Sequence, residues 1–156
     1  MRTRTLGILS YGDGLERQAE ARARVAAGGD DEILLLEHEP VVTLGKRGGH
    51  WDEERLKRLG TRVVQTDRGG LATWHGPGQL VAYPIVDLRR AARSVPDFVR
   101  LLGQAMVAVC AEVGVQGVSY DPDRPGVYVG GRKLGAIGLH IHRRITTHGL
   151  ALNVCC

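Results

Sequence analysis

The residues of this chain with the clearest capacity for chemistry lie in the stretch RGGLATWHGPGQL, residues 68–80. Two glycine clusters stand one strand length apart, with Trp74 and His75 between them. Glycine has no Cβ, so the backbone of both clusters can approach a ligand closely and turn its N–H groups toward it. The spacing therefore predicts a pocket wall from which Trp74 and His75 project. Two ordinary turns, with Pro77 and Gly78 as a turn pair, would give the same spacing, and this alternative stays open.

A second candidate is Lys133, in the stretch GGRKLGAIG that spans residues 130–138. The chain carries its positive charge with eighteen Arg and only three Lys, and only lysine can readily lose its proton. A lysine beside a hairpin glycine pair can therefore do acid–base chemistry if it has a thiol, phosphate or carboxylate partner. A solvated lysine on a hairpin is the alternative. For Lys46 and Lys57, we interpret the use of lysine in place of arginine as chance.

Histidines mark a third region. His140 and His142 alternate on one predicted strand and so share a face, as two metal ligands can. The adjacent charges of Arg143 and Arg144 disfavour a metal there, so we expect no metal site. His148 opens the stretch HGLALNV, in which another His-Gly step enters an apolar strand.

Composition bounds the class of protein. The 156 residues fit one domain, and 43% hydrophobic residues suffice for a core. Three cysteines, an odd number, favour a reducing compartment. Without a signal peptide or a transmembrane run, we expect a soluble cytoplasmic protein that does not bind membranes. The net charge of +4 suits an acidic partner or an anionic ligand. Nucleic acid is disfavoured because no basic tail and no interleaved aromatic residues are present.

The elements that must position these residues alternate irregularly. The stretch SVPDFVRLLGQAMVAVCAEVG predicts the longest helix, with Ser94 as N-cap, Gly114 as stop and Cys110 as a small buried hydrophobe. Its apolar face is predicted to comprise Val95, Phe98, Leu102, Ala105, Met106, Val109 and Val113. Shorter helices are predicted in GLERQAEARARVAAGG and WDEERLKRLG. Strands are predicted in TRTLGILSY, DEILLLEHEP, VVTLG, TRVVQTD, LATWH, QLVAYPIVDL, VQGVSY, GVYV, KLGAIGLHI and THGLALNV. The lack of a regular βαβ repeat predicts an α+β domain with a largely antiparallel sheet.

Taken together, three motifs carry a resemblance to a known family. RGGLATWHGPGQLVAYP, then GVYVGGRKLGAIGLHI, then THGLALNV closely resemble the lipoyl(octanoyl) transferases of lipoate biosynthesis. The resemblance runs from EHEPVVTLG to LNV and covers most of the chain. It implies a fold akin to the biotin and lipoate protein ligases, a mixed sheet flanked by helices.

The resemblance also implies a reaction and its partners. An octanoyl group arrives as a thioester on acyl carrier protein, passes to an enzyme cysteine, and then to a lysine of an apo lipoyl domain. The acceptors would be the lipoyl domains of 2-oxoacid dehydrogenases and the glycine cleavage H protein. No cofactor is implied, and we expect a monomer. By the resemblance, Lys133 matches the family's catalytic lysine. An ammonium beside a thiol favours the reactive thiolate and can then move a proton.

The same resemblance assigns the substrate-binding residues. They form three segments, which we expect to build one acyl pocket: Arg68, Gly69, Gly70, Leu71, Ala72, Thr73, Trp74 and His75; Ala136, Ile137 and Gly138; and Gly149, Leu150 and Ala151.

The nucleophile is where the chain departs from the family pattern. The family's cysteine stands in a PCG-like motif well downstream of the HGLALNV strand, whereas Cys155 and Cys156 follow that strand directly. We therefore expect a single catalytic-type domain over residues 1–156 that is C-terminally incomplete relative to the family. A non-catalytic module that binds an acyl group or a carrier protein is one alternative. An ATP-dependent lipoate or biotin ligase is another, disfavoured because RGGLATWHGPGQ departs from the ligases' glycine-rich signature.

Overall fold

The computed structural model describes residues 1–91 and 93–156. Its helices are α1 (Tyr11–Ala26), α2 (Glu53–Arg58) and α3 (Val95–Glu112). Its strands are β1 (Arg2–Leu9), β2 (Glu32–His38), β3 (Val41–Leu44), β4 (Arg62–Gln65), β5 (Thr73–His75), β6 (Gln79–Ile85), β7 (Ser119–Asp121), β8 (Gly126–Val129), β9 (Arg132–His142) and β10 (Ile145–Asn153).

The strands form two sheets. The larger has seven strands in the order β1-β2-β6-β10-β9-β8-β7, and the smaller has three in the order β4-β3-β5. Only the β1–β2 and β3–β4 pairs are parallel; every other described pair is antiparallel. The predicted α+β class with a mixed, largely antiparallel sheet is therefore confirmed.

Helices α1 and α3 cover opposite faces of the large sheet. The alternation of side chains along β10 shows this, because Ile145 and Ala151 pack in a core with α1, whereas Leu152 packs in a second core with α3. We call these two sides the α1 face and the α3 face. On β6, Val81 and Tyr83 belong to the α1 face.

The sequence located the ends of α3 well and its buried stripe less well. Ser94 caps the helix by accepting from the backbone N–H of Asp97, as predicted. Cys110 is buried, also as predicted. The predicted apolar stripe is wrong at its C-terminal end: Ala105, Val109 and Val113 are exposed, while Gly103 and Cys110 are buried instead. Those three residues form a helical row beside that of Leu102, Met106 and Cys110, and only the latter row faces the core.

Among the described residues, no helix combines the length and the apolar character needed to cross a membrane.

Candidate active site

One cavity of about 390 Å³ lies between the large sheet, the loop before β5 and the N-terminal turn of α1, and its lining continues to Val95 and Val99 of α3 and to the turn before β8. This volume falls within the range of about 300–1,000 Å³ that is usual for ligand pockets. All three segments predicted to bind substrate contribute to its lining, together with Lys133. The lining residues from those segments are Arg68, Gly69, Gly70, Leu71, Thr73, His75, Ala136, Ile137, Gly138, Gly149, Leu150 and Ala151.

Small residues on two neighbouring strands keep the floor of the cavity open. In the β9–β10 register, Ala136 stands opposite Ala151, and Gly138 stands opposite Gly149. Cross-strand partners share a face, so the four form one patch on the α1 face. A Cβ at Gly138 would lie 2.8 Å from the carbonyl oxygen of Gly69. Larger side chains at these positions would therefore fill the cavity or push its walls apart.

Arg68 fixes the loop that forms the opposite wall. Its side chain is buried, and its guanidinium donates to Thr43 Oγ1 (2.7 Å), to the Thr43 carbonyl (2.8 Å) and to the carbonyls of Gly69 and Leu71 (both 2.9 Å). Within residues 1–91 and 93–156, no carboxylate pairs with this cation. Burial lowers the pKa of Arg68 from its ordinary value. Arg68 thus both clamps the loop and places a buried positive charge beside the cavity.

The same loop pairs with the edge of the large sheet. The N–H of Gly69 donates to the carbonyl of Leu139 at 2.8 Å. Strand β8 pairs with β9 only as far as Ala136, so this stretch of the β9 edge is available to the loop. The contact brings the wall residues within reach of the floor.

Trp74 and His75 project from the motif in different directions. His75 lines the cavity, and its Nδ1 and Nε2 lie 2.7 Å from Gln79 Oε1 and 3.2 Å from Thr43 Oγ1. Burial lowers the pKa of His75 to about 4, so the ring is neutral at physiological pH. Trp74 is 40% exposed and packs against Gly76. The described lining includes neither Trp74 nor Ala72, because strand alternation turns both away from the side of Thr73 and His75.

A β-bulge turns Lys133 toward the cavity. Opposite the single step from Val127 to Tyr128 on β8, strand β9 advances two residues, from Gly135 to Lys133. Leu134 and Gly135 both contact the α3 side, Leu134 in its core and Gly135 beside Met106. The extra residue breaks the alternation, so Lys133 joins the cavity lining together with Ala136.

His148 is held in an unusual backbone conformation. Its φ is +55°, a left-handed value that is uncommon for residues other than glycine. Nε2 of His148 donates to Asp67 at 2.8 Å, and the backbone N–H donates to Gln18 at 2.6 Å. Burial lowers the pKa of His148, so the neutral ring faces an ionised Asp67. His140 lies 3.4 Å from the other oxygen of Asp67. These contacts lock one end of the cavity, next to Gly149.

Tyr11 and Tyr83 line the cavity, although the motifs gave no sign of them. The Tyr83 hydroxyl lies 2.6 Å from Nε2 of His38. The Tyr11 hydroxyl is buried and has no hydrogen-bond partner within the described part of the chain. Burial raises the pKa of Tyr11 to about 12. Tyr11 lies outside the three motifs, and Tyr83 stands in the apolar run that ends the first motif, so only three-dimensional packing could reveal their part in the cavity.

The three cysteines lie away from this arrangement. Cys110 is buried in the α3 core, and burial raises the pKa of its thiol. Cys155 and Cys156 are exposed, and the N–H groups of Val154 and Cys155 donate to the carbonyl of Gly78. Among the described residues, no group of three or more His, Cys, Asp or Glu side chains could hold a metal ion.

Comparison with known proteins gives one consistent result. The family model of the lipoyl protein ligase A/B catalytic domain matches residues 11–156. The chain is 46% identical to the octanoyltransferase of Mycolicibacterium smegmatis, and the alignment covers 98% of this chain and 68% of that protein. It is 43% identical to the mitochondrial octanoyl-[acyl-carrier-protein]:protein N-octanoyltransferase of Xenopus tropicalis, covering 98% of this chain and 66% of that protein.

A solved structure shows the same fold at much lower identity. Lipoate-protein ligase A bound with ATP superimposes with a TM-score of 0.71 at 18% identity, covering all of this chain and 68% of the ligase chain. This likeness confirms the fold predicted from the motifs. The chain spans about two thirds of the length of each protein compared above.

Proposed function

Because the chain belongs to the lipoyl protein ligase A/B catalytic-domain family, we propose that it transfers an octanoyl group from octanoyl–acyl carrier protein to a lysine of an apo lipoyl domain. The octanoyl group would pass through a cysteine thioester. The acceptors would be the lipoyl domains of 2-oxoacid dehydrogenases and the glycine cleavage H protein.

One observation carries this proposal. A single cavity unites the three motif segments with Lys133, although these residues lie up to about eighty positions apart in the sequence. Its floor of Ala136, Gly138, Gly149 and Ala151 leaves room for an unbranched acyl chain. The side chain of Val81 adds apolar surface for that chain.

The transfer comprises two acyl exchanges. In the first, a cysteine thiolate attacks the carrier thioester, a new C–S bond forms, and the carrier thiolate leaves and takes up a proton. In the second, the acceptor amine attacks the enzyme thioester, a C–N bond forms, the C–S bond to the cysteine breaks, and the released cysteine thiolate takes up the proton that the amine loses. Lys133 would favour the thiolate as an ammonium and would move the proton in both steps.

The wall of the cavity would stabilise the carbonyl oxygen of the octanoyl thioester. The buried charge of Arg68 would favour an oxygen that gains negative charge in the transition state. The Arg68 clamp holds the loop of this wall in place before substrate arrives, so little reorganisation would accompany the reaction.

Which cysteine acts as the nucleophile is a separate part of the proposal. The family resemblance assigns the nucleophile to a PCG-like motif, and neither Cys155 nor Cys156 stands in one. Cys110 is buried in the α3 core and cannot serve. We expect neither Cys155 nor Cys156 to replace the family's nucleophile, because both are exposed and neither lines the cavity that contains Lys133.

The carrier protein would approach the end of the cavity where Lys133 lies. Arg47 and Arg124 line the cavity as well, together with Asp123, and Arg124 pairs with Asp121. Arg143 and Arg144 form a basic cluster, but they occupy the turn between β9 and β10. That turn is nine or more residues from Lys133 along β9, roughly 30 Å of extended strand. We therefore propose that Arg47 and Arg124, and not Arg143 and Arg144, meet an acidic carrier.

The compartment is part of the same proposal. Cys110, Cys155 and Cys156 are all unpaired thiols, which suits a reducing environment such as the cytoplasm.

Intact-mass analysis tests the proposed transfer. The 156-residue chain and a version that carries the family's PCG-like segment are incubated with octanoyl carrier protein, and an apo lipoyl domain is then added. We expect an octanoyl adduct on the second protein that moves to the lipoyl domain without ATP, and little transfer by the first. Transfer of free octanoate or lipoate that requires ATP would identify a ligase instead. A stoichiometric adduct on Cys155 or Cys156 that moves to the lipoyl domain would contradict our assignment of the nucleophile.

A further inference from the structure

The hairpin formed by β7 and β8 carries a tyrosine ring beside Lys133. Nζ of Lys133 lies 5.4 Å from the centre of the Tyr128 ring, within the distance of a cation–π contact. Tyr128 and Lys133 are cross-strand partners at the bulge, and both line the cavity. We propose that Tyr128 is a positioning residue that holds the Lys133 ammonium at the mouth of the cavity. This inference rests on the proposed function, in which Lys133 moves the proton.

The lysine needs such a partner because its own side chain is flexible. Lys133 is exposed, and a lysine has a long stem with many rotamers. No described carboxylate forms an ion pair with it. The bulge determines on which side of β9 the stem leaves the backbone. The Tyr128 ring then favours those rotamers that keep Nζ over its face.

The ring itself is held by the turn that precedes β8. The Tyr128 hydroxyl donates to the carbonyl of Arg124 at 3.1 Å, and the guanidinium of Arg124 lies 4.7 Å from the ring centre. Asp121 accepts from the backbone N–H of Asp123 (2.9 Å) and of Arg124 (3.2 Å), and from Nε of Arg124 (2.9 Å). The exposed ion pair alone contributes little. Together, the capped turn and the hydroxyl bond orient the ring before substrate binds.

Tyr120 provides a matched control on the same hairpin. It lies on β7 opposite Val127, packs into the α3 core and contacts Gly103. Its ring therefore supports the hairpin from the α3 side without reaching Lys133. Substitution of Tyr120 should therefore weaken only the hairpin. Substitution of Tyr128 should in addition release the Lys133 ammonium.

The kinetic experiment compares Tyr128→Leu, Tyr128→Phe and Tyr120→Leu in a transfer-competent form of the protein. We expect Tyr128→Leu to lower kcat by about 2- to 5-fold with KM unchanged, which corresponds to the usual strength of a cation–π contact at an exposed site. Tyr128→Phe keeps the ring and should stay within about twofold of wild type. Tyr120→Leu should lower the melting temperature and leave kcat within twofold. In a Lys133→Met background, Tyr128→Leu should cause no further loss.

A second readout does not depend on transfer. The Lys133 side-chain carbon signal, identified as the one lost in Lys133→Arg, should carry a ring-current shift in wild type and Tyr128→Phe and lose it in Tyr128→Leu. The proposal is overturned if this shift is absent from wild type, if Tyr128→Phe loses as much activity as Tyr128→Leu, or if the loss persists without Lys133. If the shift is present but the form that carries the family's PCG-like segment transfers no octanoyl group, the proposed function fails and the positioning stands.

Discussion

The two faces of the large sheet use the same strands for opposite purposes. On the α3 face, β10 places Leu150 and Leu152, and helix α3 covers them with Phe98 and Met106. On the α1 face, the neighbours of those leucines are Gly149 and Ala151, and a cavity lies above them. A period-two alternation thus puts bulky residues on one side and small ones on the other, without any change of backbone.

The faces also differ in polarity. The α3 core is built from apolar side chains and one thiol. Around the cavity, by contrast, Arg68, His38, His75 and His148 are buried and hydrogen-bonded. Burying such groups weakens folding unless each is paired. The difference teaches that one face maintains the fold, whereas the other keeps space and polar groups for a ligand.

The largest expected effect is on the chemistry at the mouth of the cavity. Lys133→Arg keeps the positive charge but cannot move a proton at working pH. We expect acyl transfer to fall by about 10²–10⁴-fold, the usual value of a positioned proton donor. Single-turnover rates in a protein with its nucleophile measure this, with the melting temperature as a control for folding. Turnover like that of wild type would show that Lys133 is only a structural cation.

Two substitutions test the difference between the faces, one by removing a bulky side chain from the α3 face and one by adding a bulky side chain to the α1 face. Leu152→Ala removes a buried side chain from the α3 face and should lower the free energy of unfolding by about 2–5 kcal/mol. Ala136→Leu on the α1 face should instead fill the cavity, abolish octanoyl binding and change stability less. Urea unfolding and calorimetric titration with an octanoyl thioester analogue separate the two outcomes. If Ala136→Leu binds the analogue as wild type does, the acyl chain lies elsewhere.

Acid should weaken the α1 face selectively. The pKa of buried His75 is about 4, below the usual value of about 6.5, so the unfolded chain binds the extra proton between these values. Stability therefore falls as pH drops from about 6.5 to about 4, by about 3 kcal/mol from this residue at most. His38 and His148, whose pKa values burial also lowers, act in the same direction.

Urea midpoints across this pH range, for wild type, His75→Asn and Leu152→Ala, provide the measurement. We expect a shallower pH slope in His75→Asn and an unchanged slope at lower stability in Leu152→Ala. Equal slopes in all three proteins would count against the neutral buried ring.

The smallest effect concerns the carrier protein. Replacing Arg47 and Arg124 with Glu should raise KM for octanoyl carrier protein several-fold at low salt, with a weaker effect as salt rises. The same double replacement at Arg143 and Arg144 changes net charge equally but lies at the far turn, so KM should change little. KM for a small octanoyl thioester serves as a control for damage to the cavity. A larger rise in KM from the replacements at Arg143 and Arg144 would show that the carrier protein docks at the β9–β10 turn instead.

Some of this arrangement was readable from the sequence, and some was not. The spacing of the glycines predicted both walls of the cavity correctly. The reason is steric: Gly69 lies against Leu139, and Gly138 lies against Gly69, where a Cβ would not fit. The scarcity of lysine in the sequence indicated Lys133. No sequence pattern predicted the β-bulge that turns its side chain toward the cavity. The side of a strand on which a residue lies depends on register, which explains why Trp74 was predicted in the wall and lies outside it. Tyr11 joins the cavity through the packing of α1, which no local pattern encodes.

The most direct test of the central claim is a crystal structure with an octanoyl amide analogue of the pantetheine thioester. We predict an acyl chain between the floor of Ala136, Gly138, Gly149 and Ala151 and the loop clamped by Arg68, with its carbonyl at the end nearest Lys133. Density for the chain on any other surface, or a carbonyl remote from Lys133, would contradict the account.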